Sequence, residues 1–358
     1  MSSDFDHGGR VFAIARQLGV APEDILDFSA SINPLGLAPG VRTALTAALD
    51  RLGHYPDNGC SELREALAGH HGCDPANVCV GNGSTELIYL LPRLAVARQA
   101  LLVAPTFSEY EKALRREGWG CDYHLLQSSE GFPLSLPELR RDLVKGYGLM
   151  FLCNPGNPTG RLYGREEVGR LLDLCGEAGT LLVVDEAFMD FSEEDSVKHA
   201  VIASGRGVVL RSMTKFFAFP GLRLGYALAA PPVASELCRH RQPWSVNSLA
   251  QAAGVAALSD TGYAVHTRLY IESERAFLTD RLGALPGMKV YPAAANYLLV
   301  EMTDGLTASV LQERLLTERL LIRNCAVFLG LGNRFFRVAV RTREENERLL
   351  AALASAIV

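Results

Sequence analysis

The sequence predicts an α/β protein, with a large domain built on a mainly parallel central sheet and a smaller α+β domain after it. Three observations carry this expectation. From about Ala100 to Ala229, short apolar runs alternate with stretches of helical spacing. Beyond about residue 255 the pattern changes to one long amphipathic stretch followed by short strand-like segments. No internal repeat, charge block or low-complexity linker interrupts either part.

The elements follow in order. Ala100–Ala104, Leu149–Cys153 and Leu181–Val184 contain no polar residue, so they read as strands buried on both faces. Val208–Leu210 and Leu224–Ala229 read as shorter strands on the same argument. Between them, Ser108–Glu117, Pro137–Val144 and Arg165–Ala178 have helical spacing, the last stopping at Gly179, a suitable residue for a left-handed helix end. In the second part, Tyr263–Leu285 is the long amphipathic helix. Met288–Tyr291, Tyr297–Glu301, Leu320–Arg323 and Arg334–Val340 are strands, and a terminal helix starts near Glu344. The expected division is an arm over residues 1–35 packing on the small domain, a large domain over 36–255 and a small domain over 256–358.

Composition narrows the function. Hydrophobic residues make up 48% and charged residues 21%, an ordinary soluble balance. A net charge of −5 gives no electrostatic reason to expect nucleic acid or an anionic membrane as partner, so a phosphate-bearing ligand must be held by local donors. The eight cysteines form no CxxC pair and no metal-ligand spacing with histidine, so no metal is expected. Cys153 and Cys175 lie in apolar runs and read as reduced, buried thiols, which fits a reducing compartment. No apolar run approaches the ~18 residues of a bilayer span. Met-Ser-Ser-Asp-Phe-Asp lacks the basic and apolar regions of a leader, and the expected location is the cytoplasm.

Four motifs carry chemistry. Ser212-Met-Thr214-Lys215, with Arg223 eight residues after the lysine, suits a Schiff base formed beside a phosphate. A lone Ser-x-Thr-Lys is better read as an exposed loop lysine; Pro220, Gly221 and Arg223 reverse that preference in favour of a site. Asp185 directly follows an apolar strand, at the end where open α/β sheets hold ligands. Buried there it needs a cationic partner, which a protonated pyridine nitrogen would supply; an ordinary loop aspartate is the competing reading. Asn154-Pro-Gly-Asn157-Pro is a stiff turn that can hold an amide against a ring oxygen. Gly83-Ser84-Thr85 at a helix start offers N–H groups and hydroxyls to an anion, or serves only as a helix cap. Phe107, after another apolar strand, puts an aromatic where a planar ring can stack.

In this order the motifs resemble fold-type I pyridoxal-phosphate enzymes, the aspartate-aminotransferase superfamily, and within it the histidinol-phosphate-aminotransferase-like branch. The resemblance implies the fold-type I PLP-dependent transferase architecture and pyridoxal 5'-phosphate as cofactor. It implies Lys215 as the Schiff-base lysine, Asp185 on the pyridine nitrogen, Asn157 on the ring hydroxyl and Phe107 stacked on the ring. Ser84, Thr85, Ser212, Thr214 and Arg223 would surround the cofactor phosphate. Tyr55, in His54-Tyr55-Pro56, matches a tyrosine lent to the neighbouring subunit's cofactor phosphate, which implies a homodimer with shared sites.

Further segments look like the threonine-phosphate decarboxylases of cobalamin biosynthesis: His7-Gly-Gly, Leu26 to Pro34, Pro243 to Asn247, Ala295 to Leu299, Leu321 to Cys325 and Phe336 to Arg341. Where the aminotransferases usually have tyrosine, this chain has Phe188, as those decarboxylases do. That resemblance implies Arg337 on a substrate carboxylate, and His7 and Arg323 on a substrate phosphate, with Asn157 also near the substrate. The implied reaction is decarboxylation of L-threonine O-3-phosphate to 1-amino-2-propanol phosphate. The alternatives are a histidinol-phosphate-type aminotransferase and a decarboxylase of L-serine phosphate.

Overall fold

The computed structural model of the chain describes residues 8–357. After a short first strand, β1 (Leu26–Asp27), come seven that form one sheet. They are β2 (Val78–Asn82), β3 (Gln99–Ala104), β4 (Gly120–Leu125), β5 (Leu149–Cys153), β6 (Leu181–Asp185), β7 (Gly207–Ser212) and β8 (Leu224–Ala229). Their order across the sheet is β2-β8-β7-β6-β5-β3-β4. β8 runs against both of its neighbours and every other adjacent pair is parallel. Every residue of β5 and β8 is buried, which is why these strands read as unbroken apolar runs rather than alternating ones; β7, equally buried, is apolar only as far as Leu210.

Two strands of this sheet, besides the short β1, escaped the sequence reading. β4 is the half-buried edge strand, carrying Asp122 and His124, and β2 ends in Gly81-Asn82, so neither forms a long apolar run. The helices fall close to expectation, at Glu109–Arg116, Leu136–Leu143 and Arg165–Glu177. Gly179 adopts the left-handed conformation, φ 70°, just past the last of these.

Winding reverses at β3. From β3 the chain adds β4 on one side, whereas β5, β6 and β7 add successively on the other. The carboxyl ends of β3 and β5 therefore flank a topological switch point, the place where open α/β sheets take ligands.

The second part contains β9 (Met288–Val290), β10 (Tyr297–Met302), β11 (Leu320–Leu321), β12 (Arg323–Asn324) and β13 (Phe335–Ala339). Four of them make an antiparallel sheet in the order β12-β13-β10-β9. The strand expected over Leu320–Arg323 is split at Ile322, because its two halves serve different partners. Leu320–Leu321 pairs in parallel with β1, and Arg323–Asn324 pairs with β13. Beyond β1, the Phe28 N–H donates to Leu321 (2.8 Å) and the Phe28 carbonyl accepts from Ala339 (2.9 Å). One apolar cluster runs from Phe28 through Leu152 and Val184 to Leu299 and Val338, so the two sheets share a core. The long helix, Thr261–Gly283, contributes Ile271, Leu278 and Leu282 to it.

A buried charge cluster braces the segment after β6. Arg211 of β7 is fully buried and pairs with Glu186 and Asp190, each at 2.9 Å, and with Glu193. Glu186 also accepts from the Ser196 hydroxyl (2.6 Å) and the Val197 N–H (2.9 Å). Arg211 and Ser212 alternate along the strand, so this bracing lies on the face away from Ser212. Cys153 and Cys175 are buried free thiols. No helix among the described residues is long and apolar enough to cross a membrane.

Candidate active site

The carboxyl ends of β2, β3, β5, β6 and β7 and the start of β8 open into one cavity of about 240 Å³. That is far above the ~10–15 Å³ that holds a single water. Ser84, Thr85, Phe107, Asn157, Asp185, Ser212, Thr214, Lys215, Arg223, Arg323 and Arg337, all singled out in the sequence, line it together. One other does not join them. Tyr55 is 80% exposed and stacks on Trp244 with ring centroids 4.8 Å apart, outside the cavity of its own chain. His7 lies outside the described residues.

One end of the cavity is an anion cradle. The helix Gly83–Leu90 starts there, presenting Ser84 and Thr85. The Ser212 and Thr214 hydroxyls sit 2.8 Å apart on the β7 side. Arg223 closes the rim in the left-handed region (φ 61°), its Nη1 donating to the Pro220 carbonyl at 3.0 Å. Glycine makes this approach possible. A Cβ on Gly83 would lie 2.7 Å from Arg223 Nη2, and one on Gly225 would lie 2.2 Å from the Ser84 nitrogen.

The middle of the cavity holds a buried carboxylate. Asp185 is 4% exposed; Oδ2 accepts from the Tyr110 hydroxyl (2.6 Å) and Oδ1 from the Ala187 N–H (3.0 Å). Burial pushes its pKa up, while those two donors and the charge of Lys215 hold it back. Both donors are neutral, so a cationic ring nitrogen would complete the pairing that such burial requires. Phe107 stands beside it, edge-on to Tyr110 at 5.7 Å.

Lys215 faces this carboxylate. Burial, and then the positive charges of Arg223 and Arg337, depress its amine pKa from 10.5 to about 8. The neutral amine is the form that attacks an aldehyde. Capture of pyridoxal phosphate by the apoprotein should therefore accelerate about tenfold per pH unit at low pH and level off above about 8. Stopped-flow absorbance across pH 6–10 checks this; a plateau reached only near 10.5 would contradict it.

The far end is lined by two arginines of the small sheet. Arg323 and Arg337 are directly opposed across β12 and β13, so both side chains leave the same face. Arg337 is buried, donates to the Ser29 carbonyl (3.0 Å) and to Asn157 Oδ1, and lies 4.7 Å over the Tyr297 ring. Its Nε is buried without a partner among the described residues. The Arg323 guanidinium lies 5.3 Å from the Phe328 ring. Like charges directly opposite on neighbouring strands repel, and an anionic ligand between them relieves the repulsion.

Because Asn157 Oδ1 is taken by Arg337, its amide N–H groups remain for a ring oxygen. Tyr297 steadies the same turn by donating to the Gly156 carbonyl at 2.6 Å. Phe188, buried edge-on to Tyr297 at 4.9 Å, brings no hydroxyl to the cavity.

Tyr110, the Ser29–Ser31 segment and Phe328 also line the cavity and were missed in the sequence. The three-residue step from Phe107 to Tyr110 across the start of a helix was a usable signal. Ser29 had none, since its backbone carbonyl is what meets Arg337. Within the arm the chain folds back so closely that a Cβ on Gly8 would lie 2.1 Å from the Ser29 oxygen. A buried lysine of lowered pKa, a buried carboxylate, an amide, an aromatic face and a cluster of anion donors fit the donor set that pyridoxal phosphate requires.

The family model for aminotransferase class I and II matches residues 23–353. A threonine-phosphate decarboxylase of Salmonella typhimurium is 40% identical, over 98% of this chain and 96% of that protein. A histidinol-phosphate aminotransferase of Moorella thermoacetica is 32% identical, over 97% and 88% respectively. The crystal structure of L-threonine-O-3-phosphate decarboxylase from Porphyromonas gingivalis is similar with a TM-score of 0.82 at 26% identity, covering 93% of this chain and 99% of that one. With the match running over nearly its whole length and the cofactor's donor set assembled at the switch point, the chain belongs to the aminotransferase class I and II family of pyridoxal-phosphate enzymes.

Proposed function

We propose that the chain decarboxylates L-threonine O-3-phosphate to (R)-1-amino-2-propanol O-2-phosphate and CO2, a step of cobalamin biosynthesis. The observation that carries the reading is the cross-strand pair Arg323 and Arg337, two cations lining the cavity that also holds Lys215. Such a pair suits a small substrate with an anion at each end of a short skeleton, here a carboxylate and a phosphate.

In this reading Lys215, Asp185, Asn157 and Phe107 hold the cofactor ring, and Ser84, Thr85, Ser212, Thr214 and Arg223 hold its phosphate. Bound there, pyridoxal phosphate supplies an aldehyde carbon for the substrate amine and a ring that accepts the electrons of a breaking Cα bond. Arg337 grips the carboxylate, and Arg323 with His7 grips the phosphate. Fixing both ends would set which Cα bond is aligned for cleavage, so that binding energy remote from Cα would select C–C cleavage. The Cα–carboxylate bond breaks, CO2 leaves, and Lys215 as ammonium returns a proton to Cα. Asp185 keeps the ring nitrogen protonated throughout.

The same reading divides the chain into an arm over 1–35, a cofactor-binding domain over 36–255 and a small domain over 256–358. It lends Tyr55 to the cofactor phosphate of a partner subunit in a cytoplasmic homodimer, in accord with the exposure of Tyr55. Phe188 favours it over a histidinol-phosphate-type aminotransferase, in which a tyrosine would add a second donor at the ring oxygen.

The test is release of CO2 from L-threonine phosphate by the purified protein with no oxo-acid present. Strict dependence on an oxo-acid acceptor would transfer the chain to the aminotransferases. Arg323→Met should raise KM for threonine phosphate about 10- to 100-fold, the loss of a charge-assisted contact. It should leave the slow turnover of unphosphorylated threonine unchanged, and an equal loss on both substrates would remove Arg323 from the phosphate.

A further inference from the structure

We propose that Tyr110 is a positioning residue for the reaction, its hydroxyl holding Asp185 as a carboxylate aimed at the cofactor's ring nitrogen. The inference rests on the reading that Asp185 faces that nitrogen. The geometry is specific. Tyr110, on the helix Glu109–Arg116, is fully buried, and its hydroxyl lies 2.6 Å from Asp185 Oδ2. Its ring is fixed on two sides, stacked on Phe151 at 5.0 Å with an interplanar angle of 21°, and edge-on to Phe107 at 5.7 Å. The phenol cannot swing away without opening the core.

Direction of donation follows from charge. Burial, and then the neighbouring Asp185, push the Tyr110 phenol well above its ordinary 10, so it stays protonated and donates. Cys153, opposite Asp185 in register on β5, donates its thiol towards the Pro155 carbonyl at 3.3 Å and carries no charge, its pKa raised by burial to about 12. Tyr110 thus supplies the side-chain donor and Ala187 the backbone donor, one to each carboxylate oxygen. Together they fix the plane of the carboxylate and leave lone pairs towards the cavity. They also lower its basicity. Without the phenol, the proton shared with the ring nitrogen would shift towards Asp185, and the ring would lose cationic character.

The experiment compares two ligands of the apoprotein, pyridoxal phosphate and its 1-deaza analogue, in which a C–H replaces the ring nitrogen. Both react with Lys215 in the same way, so the ratio of their dissociation constants isolates the interaction at that one atom. Tyr110→Phe keeps the aromatic packing and should shrink the preference for pyridoxal phosphate about tenfold, because a more basic Asp185 is readily neutral opposite C–H. Adding Tyr110→Phe to Asp185→Asn should leave the ratio where Asp185→Asn alone puts it. Equal weakening of both ligands by Tyr110→Phe would mark Tyr110 as packing only and overturn the proposal. If Asp185→Asn itself retains the wild-type ratio, the underlying placement of Asp185 fails, and the role of Tyr110 fails with it.

Discussion

Replacing Lys215 with alanine is expected to lower kcat for CO2 release by at least about 10⁴-fold, the combined loss of a covalent anchor and a proton donor. The amine stands in the cavity beside Asp185, with a pKa brought down to about 8 by burial, Arg223 and Arg337. Near neutral pH it can be found in either protonation state, as a residue that first attacks carbon and later returns a proton must be. The cradle at Ser84, Ser212 and Arg223 remains in the variant, so the protein should still bind pyridoxal phosphate, reversibly. Small primary amines such as methylamine should restore part of the activity. A Lys215→Ala protein that turns over threonine phosphate at the native rate would sink the assignment.

Asp185→Asn carries the second-largest expected effect, a fall in kcat of about 10²- to 10³-fold, typical for loss of a preorganised charge at the reacting group. Stability should move the other way. Burial raises the Asp185 pKa above the ordinary 3.8, so the folded state binds this proton more tightly than the unfolded chain does. The resulting penalty is absent below pH 3.8, grows as pH rises through the folded-state value, and is complete above it. Asparagine removes it. Thermal unfolding of the apoprotein near neutral pH should therefore give a Tm for Asp185→Asn at or above that of the parent. A lower Tm, with kcat unchanged, would mean that Asp185 is a structural residue.

Legibility in the sequence followed burial. Leu149–Cys153 and Leu224–Ala229 were readable to the residue, because strands covered on both faces contain only apolar side chains. The edge strand β4, with Asp122 and His124 among its six residues, left no such trace. In the site, the residues that stood out sit at strand ends or within four residues beyond them: Asp185, Asn157, Lys215 and Phe107 each follow an apolar run that announces them. Arg323 and Arg337 were visible only through resemblance, since a lone arginine on a short strand looks like a surface residue until the register pairs the two. Ser29 left no trace as a site residue, and Tyr110 left only its three-residue step from Phe107. One acts through its backbone and the other through a partner 75 positions away in the chain.

The arm has a further meaning for the order in which the site comes into being. Ser29 waits for Arg337, 308 residues later in the chain. At roughly 5–20 residues per second, the ribosome needs on the order of 15–60 s to make that contact possible. The cofactor cradle, by contrast, is encoded between Ser84 and Arg223 and is complete once β8 has emerged. On the proposed reading, a nascent chain thus acquires the residues for holding pyridoxal phosphate well before the arginines proposed to choose what the cofactor acts on.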